Sequence, residues 1–466
     1  LDGKKIRPSS GAHRGEDDID YQKPFQAAGL NKNIPFYQAL GNHDHFLIGS
    51  FPIFEDYSQL GLEDAYTSNK VWTVTDFLKA DLTKFPALFD TDTLKASSGK
   101  DRYFGGLLDG ATKNGDILYI DGPLAEDIEA PTIVSDPDRF PLTREEWIGE
   151  FFTTSSQPEG HGFNLVDQSF GLDDEERPEG FACYSFQPES TSHPESELPV
   201  KIIVLDNTQR EDDGSHDIHG HGFLDPLRWK WLKKELEEGQ NNDQLMIIAA
   251  HIPICVAGIG TELEWWSGGI TPTNTFGDPT TETQNGCTIS ELVDVLRDTT
   301  NLLMWIAGHR HFNTVKAVIS DDATRPERGF WQVETASLRD FPQQFRNFEI
   351  FFNDDDTISI DAINVNPAVK VGTPAEISRK YAIATQQIVQ NDMLPNFPNI
   401  TENALMTDLP SMDPSRDQDG QEDPSILPAT DLSLAEVPVQ YHASYNARLY
   451  NTLTDDMIAV LTDKYR

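Results

Sequence analysis

A layered α/β fold built on a parallel or mixed sheet is what this chain of 466 residues predicts, and three strand ends predict it. Ile34 to Leu40 is a largely apolar stretch that runs into Gly41-Asn42-His43-Asp44. Leu245–Ala250 (LMIIAA) ends at His251, and Leu302–Ala307 (LLMWIA) ends at Gly308-His309-Arg310-His311. Short continuous apolar runs bounded by turn residues are the pattern of strands buried on both faces. Sheets of this kind place ligand sites at the carboxyl ends of their strands. Three runs that each release polar side chains at that end therefore point to one shared site.

In chain order, residues 1–33 are polar and hold no strand-like apolar run, so they read as a loop with a short helix around Pro24–Ala28. They approach the strand that delivers Asn42, His43 and Asp44. Gly41 allows a sharp turn there because it has no Cβ. Asn42 offers an amide oxygen, His43 an imidazole, and Asp44 a carboxylate able to fix that imidazole's tautomer. Oxygen and nitrogen donors beside an acid–base residue suit metal-assisted phosphoryl chemistry; the plain alternative is a polar turn with an Asx cap. Residues 46–180 carry aromatic-rich pieces such as Val71–Leu78, a strand candidate at Asp116–Ile120 and the acidic loop Gly171–Gly180. This interval is too long for a simple connection and reads as an inserted cap or subdomain.

Phe181–Gln187 and Val200–Asp206 read as paired strands. The cluster Glu211–Gly222, with three histidines, matches no metal-ligand template and reads as a polar loop. Asp225-Pro226 is a helix start, with Asp as N-cap, Pro at the first position and Gly239 as the stop; Leu227, Trp231 and Leu236 form its apolar face. That helix returns the chain to the Leu245 strand. Residues 252–283, with Trp265 and Trp266, read as a loop leaving the His251 strand end. Thr288-x-x-Glu291 is a capping box that opens a helix over Ile289, Leu292, Val293 and Leu296 and feeds the Leu302 strand. Val315–Ile319, Phe330–Val333 and a hairpin of Phe348–Phe352 with Ile358–Val365 follow as strands. The acidic turn Asn353–Asp356 lacks a calcium-loop pattern. Ala375–Val389 reads as a helix, Pro395–Pro438 as an extended segment, and Tyr445–Leu461 as a terminal helix. The resulting division is 1–45 leading to the first site motif, 46–180 as the insert, 181–366 as the remainder of the main domain, and 367–466 as a C-terminal extension.

Composition excludes some partners. Acidic residues outnumber basic ones 77 to 36, for a formal charge of −41, a surface that repels nucleic acid and anionic membranes. Such acidity fits an extracytoplasmic setting or a salty habitat. Three cysteines, Cys183, Cys255 and Cys287, form neither a disulfide framework nor a thiolate cage. No apolar run approaches the ~20 residues that span a bilayer.

The order of motifs is specific. The GNHD of Gly41–Asp44, the strand-terminal His251, and the GHxH of Gly308–His311 resemble the calcineurin-like metallophosphoesterases. Val204-Leu205-Asp206 closing a strand agrees, as does Gly222-Phe223-Leu224-Asp225 before a helix with Trp231-Leu232. The resemblance covers roughly Ile34–His45 and Cys183–Ile350. It implies a two-sheet α-β-β-α sandwich with helices outside, here with an inserted cap and a C-terminal extension. It implies hydrolysis of a small-molecule phosphate ester at two metal ions, drawn from Zn, Mn or Fe. By motif, Asn42, His251 and His309 would ligate one metal and His311 the other. His43 would protonate the leaving oxygen or stabilise the transition state, with Asp44 orienting it, and Asn42 and His43 would face the phosphate. Arg310 would point away into structure. The family also places an Asp-x-His and a Gly-Asp on strands before GNHD, and residues 1–33 carry neither. The expectation is that two strand–helix units of about 30 residues each precede Leu1 or that the site has decayed, and that these residues alone hold at most one well-occupied metal. The alternative is a non-catalytic binding or structural protein on the same fold.

Overall fold

In a computed structural model of the chain, the residues described are 30–31, 33–45, 144–167, 170, 180–188, 198–208, 222–254, 286–309, 311, 313–338, 341–373, 375–376, 378–380, 382–383, 426–428 and 446–465. They form a mixed α/β structure around two sheets. The strands are β1 (Tyr184–Phe186), β2 (Val200–Leu205), β3 (Leu245–Ala250), β4 (Leu302–Ala307), β5 (Thr314–Val318), β6 (Phe330–Glu334), β7 (Phe345–Phe352), β8 (Ile358–Val365), β9 (Ile426–Pro428) and β10 (Ala447–Asn451). The larger sheet has the order β1-β2-β3-β4-β6-β5-β9 and the smaller one β10-β8-β7. β2, β3, β4 and β6 run parallel, so the carboxyl ends of β3 and β4 lie side by side. β1, β5 and β9 are antiparallel to their neighbours.

The apolar runs fill both faces of the larger sheet. Along β3, Met246, Ile248 and Ala250 pack in one core, while Leu245 and Ile247 pack in the other, as the period-2 alternation of a strand requires. The first core lies under two helices, α3 (Pro226–Asn241) and α4 (Ile289–Asp298). α3 begins as its sequence implies: Asp225 Oδ1 accepts the Arg228 N–H at 2.8 Å, with Pro226 at the first position. It buries Trp231, Leu232 and Leu236. α4 carries the full Thr288/Glu291 capping box and buries Leu292, Val293 and Leu296. The second core joins Leu303, Met304, Val315 and Val333 to Ile358, Ile360 and Leu449 of the smaller sheet. Asn451 Nδ2 donates to the Leu303 carbonyl (3.0 Å) and Trp331 Nε1 to that of Tyr450 (3.1 Å), tying the sheets together. The smaller sheet turns an exposed face outward, where Phe345, Phe351 and Tyr450 sit.

Four local expectations change. Gly239 does not stop α3, which runs on to Asn241. A Cβ there would stand 2.3 Å from Met246 Sδ, so the glycine permits close helix–strand packing. The terminal stretch is not one helix: Ala447–Asn451 is a strand on β8, and only Asp455–Tyr465 (α5) is helical. Leu449 and Asn451 are buried while Arg448 and Tyr450 are exposed, an alternation that tertiary pairing selects over helical periodicity. Residues 35–40 are extended but belong to neither sheet. Phe36 and Gln38 donate instead to the carbonyls of Gln157 and His161 (2.8 and 2.9 Å). Lastly, part of the acidic Pro-rich segment, Ile426–Pro428, pairs as an edge strand on β5, a setting in which a strand proline is tolerated.

Of the interval expected to form a cap, residues 144–167, 170 and 180 are described. They contain α2 (Arg144–Glu150), a 3₁₀ turn at Phe151–Thr153, and a kinked segment, Glu159–Leu165, whose Gly160, His161 and Gly162 have positive φ. Phe163 and Val166 pack in the same core as Leu40, Tyr184 and Leu205. The sequence candidates Pro24–Ala28, Val71–Leu78, Asp116–Ile120, the Glu211–His221 cluster, Cys255, Trp265 and Trp266 lie outside the described residues. Residues 375–376, 378–380 and 382–383 are helical.

Candidate functional site

Three chain segments meet at the carboxyl edge of β3 and β4. The first is the end of the extended segment, where Leu40 is fully buried and Gly41 leads into a single helical turn, α1 (Asn42–His45). Asp44 closes that turn: its Oδ2 accepts the Gly41 N–H at 2.8 Å, and its own N–H reaches the Gly41 carbonyl at 3.1 Å. The bond runs backward along the chain, from the Gly41 N–H to Asp44, and Asp44 spends one oxygen on it. The His43 side chain and Arg310 lie outside the described residues. The second segment is His251 at the end of β3. The third is Gly308-His309 at the end of β4, joined to the second by the Gly308 N–H on the His251 carbonyl (2.9 Å).

The side chains converge. His251 Nε2 lies 2.7 Å from Asn42 Oδ1, and His309 Nδ1 lies 3.4 Å from each of those two atoms. The two imidazoles stand edge to face, with centroids 5.2 Å apart. Asn42 is 1 % exposed, and both histidines are half-buried. Gly41 makes the approach possible, because a Cβ on it would meet His251 Nδ1 at 3.0 Å and Cε1 at 3.1 Å.

This donor set can be tested against a metal ion. Tetrahedral coordination with bonds of ~2.0–2.1 Å separates its donor atoms by ~3.3–3.4 Å. Two edges of the triangle have that length; the third, at 2.7 Å, is the length of a hydrogen bond. Two imidazoles and an amide oxygen are donor types that suit Zn, Mn or Fe, so the residues fit the group in donor chemistry and on two of the three edges. Among the described residues no three His, Cys, Asp or Glu side chains gather as a metal cage; the triangle reaches three donors only with the Asn42 amide.

His311 is not a corner of this triangle. Its ring stands edge-on to Phe341, with centroids 5.0 Å apart. His309 and His311 both adopt left-handed backbone conformations, φ 70° and 63°, at a cost of roughly 1–2 kcal/mol per non-glycine residue. Strain of this kind persists where surrounding bonds over-determine it.

Residues that sequence reasoning passed over hold the triangle in place. Asn207, 1 % exposed, clamps the residue after His251: its Nδ2 donates to the Ile252 carbonyl (2.8 Å) and its Oδ1 accepts the Ile252 N–H (3.0 Å). Gln332 Oε1 accepts the Ile254 N–H at 2.7 Å. Thr335 donates its N–H to the Ala307 carbonyl at 2.8 Å, behind Gly308. The only sequence signal for Asn207 is its position directly after the strand-terminal Asp206.

Asp206 itself belongs to a buried ion network. It pairs with Arg144 of α2 and with Arg228 of α3, whose Nη1 lies 3.3 Å away, and it accepts the Thr208 hydroxyl at 2.7 Å. Burial acts to raise its carboxyl, but Arg144, Arg228 and Thr208 outweigh that and hold it at about 2. The network pins residues 144–167 to the end of β2, and those residues carry the extended segment that delivers Asn42. Beside it, Cys183 is fully buried and its thiol is pushed well above its ordinary range by burial, with Asp206 adding to the effect.

No protein-family model and no curated protein matches this chain. The chemistry of the site rests on the geometry of its own side chains. Among the described residues no helix is long and apolar enough to cross a membrane.

Proposed function

We propose that this chain is a metal-dependent phosphate-ester hydrolase of the calcineurin-like metallophosphoesterase kind, with the α-β-β-α sandwich that this family resemblance implies. The observation that carries the reading is the triangle of Asn42 Oδ1, His251 Nε2 and His309 Nδ1, whose edges are 2.7, 3.4 and 3.4 Å. Its atoms come from three segments far apart in sequence, at the strand edge where such sheets bind ligands.

Asn42, His251 and His309 would hold a divalent or trivalent ion, with His311 as the ligand of a second. Bound there, such ions neutralise phosphoryl oxygens and lower the pKa of a water. The side chains do the rest. Asn42 and His43 would face the phosphate, and His43 would hand a proton to the leaving oxygen. Asp44 holds the GNHD turn closed through the Gly41 N–H, and in this reading it would also orient the His43 imidazole. The substrate is a small phosphate ester, because a chain of charge −41 repels a polyanion.

The 2.7 Å edge favours a second reading, in which Asn42 and His251 are a hydrogen-bonded pair in a non-catalytic protein on the same fold. Zinc and manganese titration followed by calorimetry, with aryl phosphate turnover measured in parallel, separates the two. His309→Ala should lose metal and turnover together, and His43→Ala should lose most turnover while keeping the metal. Equal turnover in the unsubstituted chain and His43→Ala would remove the acid–base assignment; no metal bound by the unsubstituted chain would leave the second reading.

A further inference from the structure

A line of side-chain amides runs from the loop carrying His311 to a buried arginine far along the chain. Asn313 Oδ1 accepts the Ala336 N–H at 3.1 Å, and Asn313 Nδ2 donates to Gln344 Oε1 at 2.8 Å. Gln344 Nε2 donates to Asn366 Oδ1 at 2.7 Å, and the same oxygen accepts Arg379 Nη2. Arg379 Nη1 also donates to the Gln343 carbonyl at 2.8 Å. Gln344 is 1 % exposed and Arg379 is 8 % exposed. Among the described residues, no carboxylate pairs with the Arg379 guanidinium. Burial lowers its pKa, and its two bonds go to neutral oxygens. An arginine buried without a carboxylate is uncommon, so its role is to be sought in what those oxygens do.

An amide can face either way, and only its partners decide which. A guanidinium has no such freedom, since it donates and never accepts. Arg379 therefore requires Asn366 to present its oxygen. Gln344 must then offer its NH₂ to that oxygen, which turns its own oxygen toward Asn313. Asn313 must in turn present its NH₂ to Gln344 and its oxygen to the Ala336 N–H. The Ala336 N–H is an equally fixed donor at the other end, so the two ends agree on one sense for the three amides between them, and Arg379 anchors the Asn366 end.

The last of these amides stitches the segment after His311 to the loop of residues 335–344. That loop also carries Phe341, the ring against His311. It is folded on itself by the Ser337 carbonyl, which accepts the N–H groups of Gln343 and Gln344 (2.9 and 3.3 Å). We propose that Arg379 is a positioning residue for His311, acting through Asn366, Gln344 and Asn313 by anchoring the far end of their hydrogen-bonded series. The catalytic part of this inference rests on the phosphate-ester reading above; the direction of the amides does not.

The test uses the full chain labelled with ¹⁵N on asparagine and glutamine side chains. Arg379→Lys keeps a donor, Arg379→Met removes it, and Asn366→Leu breaks the line at the junction should the methionine variant not fold. The Asn313 and Gln344 NH₂ signals are expected to exchange slowly with solvent in the unsubstituted chain and in Arg379→Lys. They should shift and exchange faster in Arg379→Met and in Asn366→Leu. With an aryl phosphate, the methionine variant should lose kcat by about 10-fold with KM little changed, the usual scale for a group that orients a metal ligand, and Arg379→Lys should recover most of it. Unchanged NH₂ signals in both breaking variants would overturn the proposal. Equal loss of the signals in Arg379→Lys and Arg379→Met would overturn it too, because a retained donor would then count for nothing. If no phosphate ester is turned over by the unsubstituted chain, the phosphate-ester reading fails, and the NH₂ signals still decide the role of Arg379.

Discussion

Gly41→Ala is the substitution that most directly tests the geometry of the triangle. Gly41 has no left-handed φ, so alanine brings no backbone strain and acts only through its Cβ. That atom would stand 3.0 Å from His251 Nδ1, 3.1 Å from its Cε1 and 3.3 Å from Asp44 Oδ2, each short of ordinary contact. Leaving every neighbour in place costs on the order of 1–3 kcal/mol, the range for one excess methyl in a packed site. His251 cannot retreat freely, since Asn207 holds Ile252 by two hydrogen bonds. Much of the cost should therefore fall on the alignment of Nε2 with Asn42 and His309. Gly308→Ala is the matched control: it too abuts His251, but its nearest atom, His251 Nδ1, is at 3.6 Å, an unstrained contact. The assay is zinc affinity by competition with a chromogenic chelator, with urea unfolding run on the metal-free proteins. Gly41→Ala should weaken zinc by about 10-fold or more, the scale seen when the support of a ligand is disturbed, and Gly308→Ala should stay within about 3-fold. Equal affinities in the two variants would refute the reasoning, because the close approach of Gly41 to His251 would then carry no cost.

Three further outcomes are expected. Asp206→Asn removes the buried carboxylate that Arg144 and Arg228 share, leaving Arg228 its pair with Asp225, and should cost about 3–5 kcal/mol in urea unfolding. Because the Asp206 carboxyl is held at about 2 when folded, its stabilising contribution is complete above about pH 4 and is lost as pH falls toward 2; the midpoint of thermal unfolding should drop across that window more steeply in the unsubstituted chain than in Asp206→Asn. At His309 and at His311, glycine should be more stable than alanine by about 1 kcal/mol in denaturant unfolding of the metal-free protein, since only glycine takes φ near +65° without strain; equal stabilities would mean that the left-handed turn relaxes. Thr288→Ala removes the cap of α4 and should cost about 1 kcal/mol with no change in zinc affinity, which a drop in zinc binding would contradict.

Much of the sheet was legible because its signals are local. β3 and β4 are apolar on both faces, so no register or partner is needed to recognise them as buried strands. The starts of α3 and α4 are written in Asp225-Pro226 and Thr288-x-x-Glu291, where the capping side chain lies within three residues of the group it serves. The candidate site was legible for a similar reason. Asn42, His251 and His309 each sit at the end of an apolar run, and the topology of parallel strands brings such ends together. What the sequence could not determine depends on partners distant along the chain. The period of residues 447–451 is ambiguous until β8 pairs with it and selects a strand. Gly239 looks like a stop until Met246 is found against it. Residues 35–40 have the composition of a sheet strand, yet the N–H groups of Phe36 and Gln38 are taken by Gln157 and His161, more than a hundred positions away. Gln344 and Arg379 carry no local signal and Asn207 only its place after Asp206, because hydrogen-bond direction and close packing are properties of pairs, and only the tertiary structure decides which pairs form.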